Sequence, residues 1–173
     1  MRFFISSLLY LIAIGCLSAE MPKSSSPFAK YIQLSGNITP SLTYVLKVRY
    51  SATSNDSKCQ RYHSNAGKFI AKTHQETYSP IIDGMSHEIK LPLQEVEPNT
   101  HCQWKSVGVM FCGFKRGEKP NKCTSLYAFN GQHHANEITM ECSDRGWCFH
   151  QGSGKNGLID EFNKEYVFNV LQK

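Results

Sequence analysis

Two residue types in this 173-residue chain can do chemistry through their spacing, seven cysteines and seven histidines. No CxxC pair and no zinc-finger spacing with histidine occurs, which argues against a cysteine metal site or a redox dithiol. The stretch Cys142-Ser143-Asp144-Arg145-Gly146-Trp147-Cys148 is more specific. A three-residue loop Asp144-Arg145-Gly146, with glycine in the left-handed position, pairs Ser143 with Trp147 and sets Cys142 opposite Cys148. Cys112 and Cys123 sit between two strand signals and would close a ten-residue excursion. Cys59 then remains for Cys102. Many connectivities are formally open to six cysteines, and spacing points to this one.

The seventh cysteine, Cys16, belongs to a different feature. Residues 1–19 carry one positive charge at Arg2, an apolar run and then small residues, the layout of an export signal. The run is short of the roughly 20 apolar residues that span a bilayer. Two cleavage expectations compete. Leu17-Ser18-Ala19 suits general signal peptidase, whereas Ala13-Ile14-Gly15-Cys16 resembles a bacterial lipobox and would place a lipid on Cys16. The second match is imperfect, since such boxes usually carry Leu where Ala13 stands. Either outcome leaves an even six cysteines, free to pair in an oxidising compartment outside the cytoplasm. The expected location is therefore the periplasm or the medium, or the outer membrane if Cys16 is lipidated.

The histidines are scattered. His133 and His134 are adjacent and would face opposite ways in a strand; His101 neighbours Cys102; His63, His74, His87 and His150 stand alone. They read as solvated loop residues rather than ligands for zinc or copper. No Gly-x-Ser-x-Gly elbow, His-Glu-x-x-His, P-loop or dinucleotide fingerprint is present. The carboxylate pairs Asp160/Glu161 and Glu95/Glu97 are available to general acid-base work, but solvation is their default. No cofactor, no metal and no catalytic residue is expected.

Charge singles out a binding element. Without residues 1–19 the chain has 18 Lys and Arg against 14 Asp and Glu. Much of the excess lies in the Cys112–Cys123 excursion, where Lys115, Arg116, Lys119 and Lys122 face only Glu118. A loop clamped by a disulfide, stiffened by Pro120 and carrying Phe114 beside its cations loses little entropy on binding. It suits an acidic protein surface, with Arg145 of the short hairpin as a second contact. A solvated hairpin tip that keeps a sheet edge soluble is the plain alternative. Nucleic acid is not the expected partner, because the basic run is short and the net charge modest. Membrane contact is expected only through a lipid on Cys16. Trp104, Trp147, Tyr127 and Phe129 can form an aromatic platform, although large aromatics in strands are usually core.

The elements that must position these residues have a period of two. Leu42, Tyr44, Leu46, Val48 and Tyr50 alternate with Thr43, Val45, Lys47 and Arg49, a strand with one wet face. Shorter signals cover 31–35, 68–71, 87–93, 106–114, 125–129, 137–142, 147–150 and 166–171, with Gly, Pro, Asn and Asp between them. From Val107 to Phe114 apolar residues occupy both phases, so this strand is either covered on both faces or bent at Gly108. Leu158–Lys164 is the one helix-like candidate. Residues 20–30 are rich in Ser and Pro and read as a flexible tether. The expected fold is all-β, one antiparallel sandwich of immunoglobulin-like or transthyretin-like type over residues 31–173, stapled by disulfides.

These readings lead to an exported, non-enzymatic binding protein of inhibitor or immunity type. The alternatives are a surface-anchored structural or assembly lipoprotein and a periplasmic metal-binding protein. In architecture alone the plan is similar to small bacterial periplasmic proteins and lipoproteins, and architecture does not assign function.

Overall fold

The computed structural model describes residues 28–95, 101–120, 122–126, 137–151 and 165–173. The export signal, Cys16, most of the tether, Glu97, Tyr127, Phe129, His133, His134, Asp160, Glu161 and the helix candidate 158–164 lie outside the described residues.

Twelve strands make up the described fold: β1 (Phe28–Asn37), β2 (Leu42–Ala52), β3 (Gln60–His63), β4 (Lys68–Ala71), β5 (Thr73–Tyr78), β6 (Ile81–Asp83), β7 (Ser86–Glu95), β8 (Trp104–Lys115), β9 (Thr124–Ser125), β10 (Glu137–Cys142), β11 (Cys148–His150) and β12 (Glu165–Gln172). Ten of them form one sheet with the path β11-β10-β12-β1-β7-β8-β2-β5, with β6 beside β7 and β9 beside β8. β3 and β4 pair only with each other. The first strand begins at Phe28, so it takes in the last three residues of the expected tether.

The path folds over between β7 and β8, which share the single pair Gln94↔Lys105. Its two wings then face each other through their apolar sides. Tyr44 on β2 and Phe111 on β8 each place a ring 5.7 Å from that of Phe168 on β12. Tyr44, Phe111 and Phe168 are fully buried, and burying one such side chain contributes about 2–3 kcal/mol. β2 shows why the sequence does this. Its burial alternates from Leu42 to Tyr50, and every residue of the apolar phase is buried.

The fold is all-β and stapled by disulfides, as expected, but the sheet is mixed rather than antiparallel throughout. β12 runs parallel to both of its neighbours, β1 and β10. The β10–β11 hairpin reverses the chain once, and the return to β12 reverses it again, so β12 enters beside β10 in the same direction. The fit is close: a methyl group at Gly36 on β1 would collide with the Phe168 carbonyl on β12.

The two-phase pattern of 107–114 has two sources, a bulge before Val109 and burial of both phases from Phe111 to Gly113. Arg49 faces Gly108 and Tyr50 faces Ser106, so Val107 is the extra residue and the inward phase shifts from Trp104 and Ser106 to Val109 and Phe111. Three strands are unexpected, β3, β5 and β6. Their sequences QRYH, THQETY and IID are short or polar and carry no apolar alternation.

The three disulfides are Cys59–Cys102, Cys112–Cys123 and Cys142–Cys148. They point to an oxidising, extracytoplasmic environment. Among the described residues no helix is long and apolar enough to cross a membrane.

Candidate binding surface

The turn Asp144-Arg145-Gly146 has the geometry its sequence implies. Ser143 N–H donates to the Trp147 carbonyl at 2.7 Å, and Gly146 N–H donates to the Ser143 carbonyl at 2.9 Å. Gly146 has φ 73°, in the left-handed region where a Cβ is unfavourable. Cys142 and Cys148 are a directly opposed pair, both buried.

The second turn ends β8. Glu118 N–H donates to the Lys115 carbonyl at 3.0 Å with Gly117 at φ 88°, the glycine position of a type II turn. Arg116 N–H donates to the Ser41 carbonyl at 2.9 Å, and its side-chain Nε–H donates to the Leu42 carbonyl at 3.2 Å. The stem is thus fixed to the start of β2, and the Cys112–Cys123 bond closes the excursion.

These two clamped turns, far apart in sequence, meet at one end of the sandwich. Gly113 lies directly under the Cys142–Cys148 bridge, so closely that a methyl group there would strike Cys148 Sγ and crowd Cys142 Sγ at 3.0 Å. Lys115 Nζ stands 3.7 Å from Asp144 Oδ1. Lys122 Nζ lies 3.9 Å above the Trp147 ring, a cation–π contact worth about 0.5–1 kcal/mol at an exposed site. Asp144 Oδ1 also accepts from Gln172 Nε2 at 2.6 Å, and Gln172 Oε1 accepts from the Ser41 hydroxyl at 2.6 Å. The ends of β8 and β12 and the turns beside β2 and β10 therefore all contribute to one polar seam.

The seam sorts the candidate residues. Lys115 and Lys122 are half-buried and engaged with Asp144 and Trp147, so they brace the two turns against each other. Arg116 is anchored through its Nε but exposed, while Lys119 and Arg145 are fully on the surface. Phe114 is half-buried in the outer phase of β8. The bracing residues Ser41 and Gln172 carry no local sequence signal. They become visible only when β12 is placed beside the β1–β2 turn, where Leu42 N–H donates to the Thr39 carbonyl at 2.8 Å. Trp147 is half exposed and its ring lies parallel to that of Phe149, whereas Trp104 is core.

His87 is not a solvated loop residue. It is 3% exposed on β7, where Tyr44 O–H donates to Nδ1 at 2.8 Å and Nε2–H donates to the Phe168 carbonyl at 2.7 Å. The carbonyl can only accept, which fixes the proton on Nε2. Burial pushes the His87 pKa below the usual histidine value, against the opposing pull of the Phe168 carbonyl. Burial lowers that of His150 in the same way. The same desolvation raises the Tyr44 phenol. Among the described residues no three His, Cys, Asp or Glu side chains converge as metal ligands would.

Compared with family models, curated proteins and solved structures, the chain has no significant match in any of the three.

Proposed function

We propose that this is an exported binding protein, without enzymatic activity, that engages an acidic surface on another protein with the end of the sandwich formed by the 112–123 excursion and the 144–146 turn. The observation that carries this reading is the mutual bracing of two disulfide-clamped turns, which leaves Arg116, Lys119 and Arg145 outward on a rigid base. Cations held by a prepaid scaffold steer an acidic partner and give up little conformational freedom on binding. Export by an N-terminal signal is part of the proposal, and the three disulfides support it. The test is capture of a partner from the native medium or envelope by wild-type protein and by Lys119→Glu/Arg145→Glu. The variant should lose capture by about tenfold or more while its melting midpoint stays put, because both residues are exposed. Equal capture by both proteins overturns the assignment of this surface.

A further inference from the structure

The β3–β4 hairpin plays no part in the seam, and it has a composition of its own. It forms a separate two-stranded ribbon in which Tyr62 faces Phe69 across the strands. The two side chains are 60% and 65% exposed, and their rings meet edge to face at 5.4 Å. Adjoining exposed apolar side chains rimmed by polar residues are the kind of surface that serves as a contact. Around them stand Lys58, Arg61, Lys68 and Lys72, against the single acid Asp56, whose carboxylate caps the adjoining turn by accepting from Lys58 N–H at 2.8 Å. Among the described residues none of the four cations makes an ion pair.

The root of the ribbon is rigid. Cys59 is bonded to Cys102, Lys72 N–H donates to the Cys59 carbonyl at 2.8 Å, and Ala52 N–H donates to the Lys72 carbonyl at 3.0 Å. The strand alternation places Tyr62 and Phe69 on one face, and Arg61 and Lys68 on the other. A thin ribbon with one aromatic face and long cationic side chains on its reverse matches an interfacial element: the rings enter the headgroup boundary while the cations reach back to phosphates.

We propose that the β3–β4 hairpin docks on an anionic lipid bilayer, with Tyr62 and Phe69 inserted at the interface and Lys58, Arg61, Lys68 and Lys72 paired with lipid phosphates. Charge complementarity selects this occupant. The edge-to-face rings offer no flat platform for stacking on a sugar. This contact is separate from any lipid on Cys16 and from the seam at the other turns.

The test uses the chain beginning at Glu20, which retains every described residue, and sedimentation with vesicles of phosphatidylcholine alone or mixed with phosphatidylglycerol. Binding to the mixed vesicles is expected at low salt, about tenfold weaker to phosphatidylcholine alone, and weakened by added salt. Tyr62→Ser/Phe69→Ser should cut binding to mixed vesicles about tenfold with an unchanged melting midpoint, since both side chains are exposed. Arg61→Gln/Lys68→Gln should reduce the preference for phosphatidylglycerol, since two of the four cations are lost. Lys119→Glu/Arg145→Glu should bind vesicles as wild type does, which separates this proposal from that of the seam. Failure to bind mixed vesicles overturns it, as does full binding by the Tyr62→Ser/Phe69→Ser variant. Retention on heparin without vesicle binding assigns the hairpin to a soluble polyanion and overturns it too.

Discussion

Acidification offers a sharp test of the core, because His87 is held neutral between two hydrogen bonds. Its folded pKa lies below the usual 6.5, so the folded protein refuses a proton that the unfolded chain accepts. Stability is therefore complete above the unfolded value and is lost as pH falls toward the folded one. Going from pH ~7.5 to pH ~5.5 should cost up to about 1.4 kcal/mol for this residue, with a contribution of the same sign from His150. For a domain of this size that is a fall of at most about 3–5 °C in the melting midpoint. Calorimetric or fluorescence melts across this range read it directly, above the window in which carboxylates titrate. In His87→Gln the whole curve should sit lower, because Tyr44 and the Phe168 carbonyl are imperfectly satisfied, but its dependence on pH should flatten. A midpoint that does not move between these pH values refutes the reasoning. So does a variant that keeps the full wild-type slope.

Other consequences are more local. Gly113→Ala should destabilise by about 2 kcal/mol or more, because a methyl group there meets Cys148 Sγ, and urea denaturation measures it. Gly36→Ala should be costly for a related reason, since the obstruction is the Phe168 backbone between paired strands. Loss of the disulfides should rank by sequence separation, 43, 11 and 6 residues, at about 4, 3 and 2 kcal/mol in a chain-entropy account; paired Cys→Ala variants give the order by denaturation. Asp144→Asn should loosen the seam by about 1 kcal/mol or less, as befits an exposed ion pair, and raise hydrogen exchange at Arg145 and Gly146 first.

What the sequence disclosed follows from the range of each signal. The hairpin at 142–148 was legible in full because its glycine, its three-residue loop and its flanking cysteines are all local. Strands with strict alternation, β2 above all, were legible for the same reason, and β4 and β10 have the bounds their pattern suggested. The parallel placement of β12 was not, because direction within a sheet depends on where the chain re-enters it, and no residue of EYVFNVLQ encodes that. β5 was hidden because its polar residues pair along the free edge of β2, where alternation carries little burial. His87 looked like a surface residue because its two partners, Tyr44 and the Phe168 carbonyl, come from strands distant in sequence. The candidate surface was half legible. The cations and both clamps were in view, but the meeting of Lys115 with Asp144 and of Lys122 with Trp147 requires the folded sheet.

The proposed function depends on where the partner touches. A photo-crosslinking residue placed at Lys119, in a protein exposed to its native medium or envelope, tests it most directly, with the same residue at Gln75 on the β5 edge as the control. One discrete adduct is expected from position 119, disappearing when Arg145 is reversed to Glu and absent from position 75. A discrete adduct from position 75 with none from 119 would contradict it.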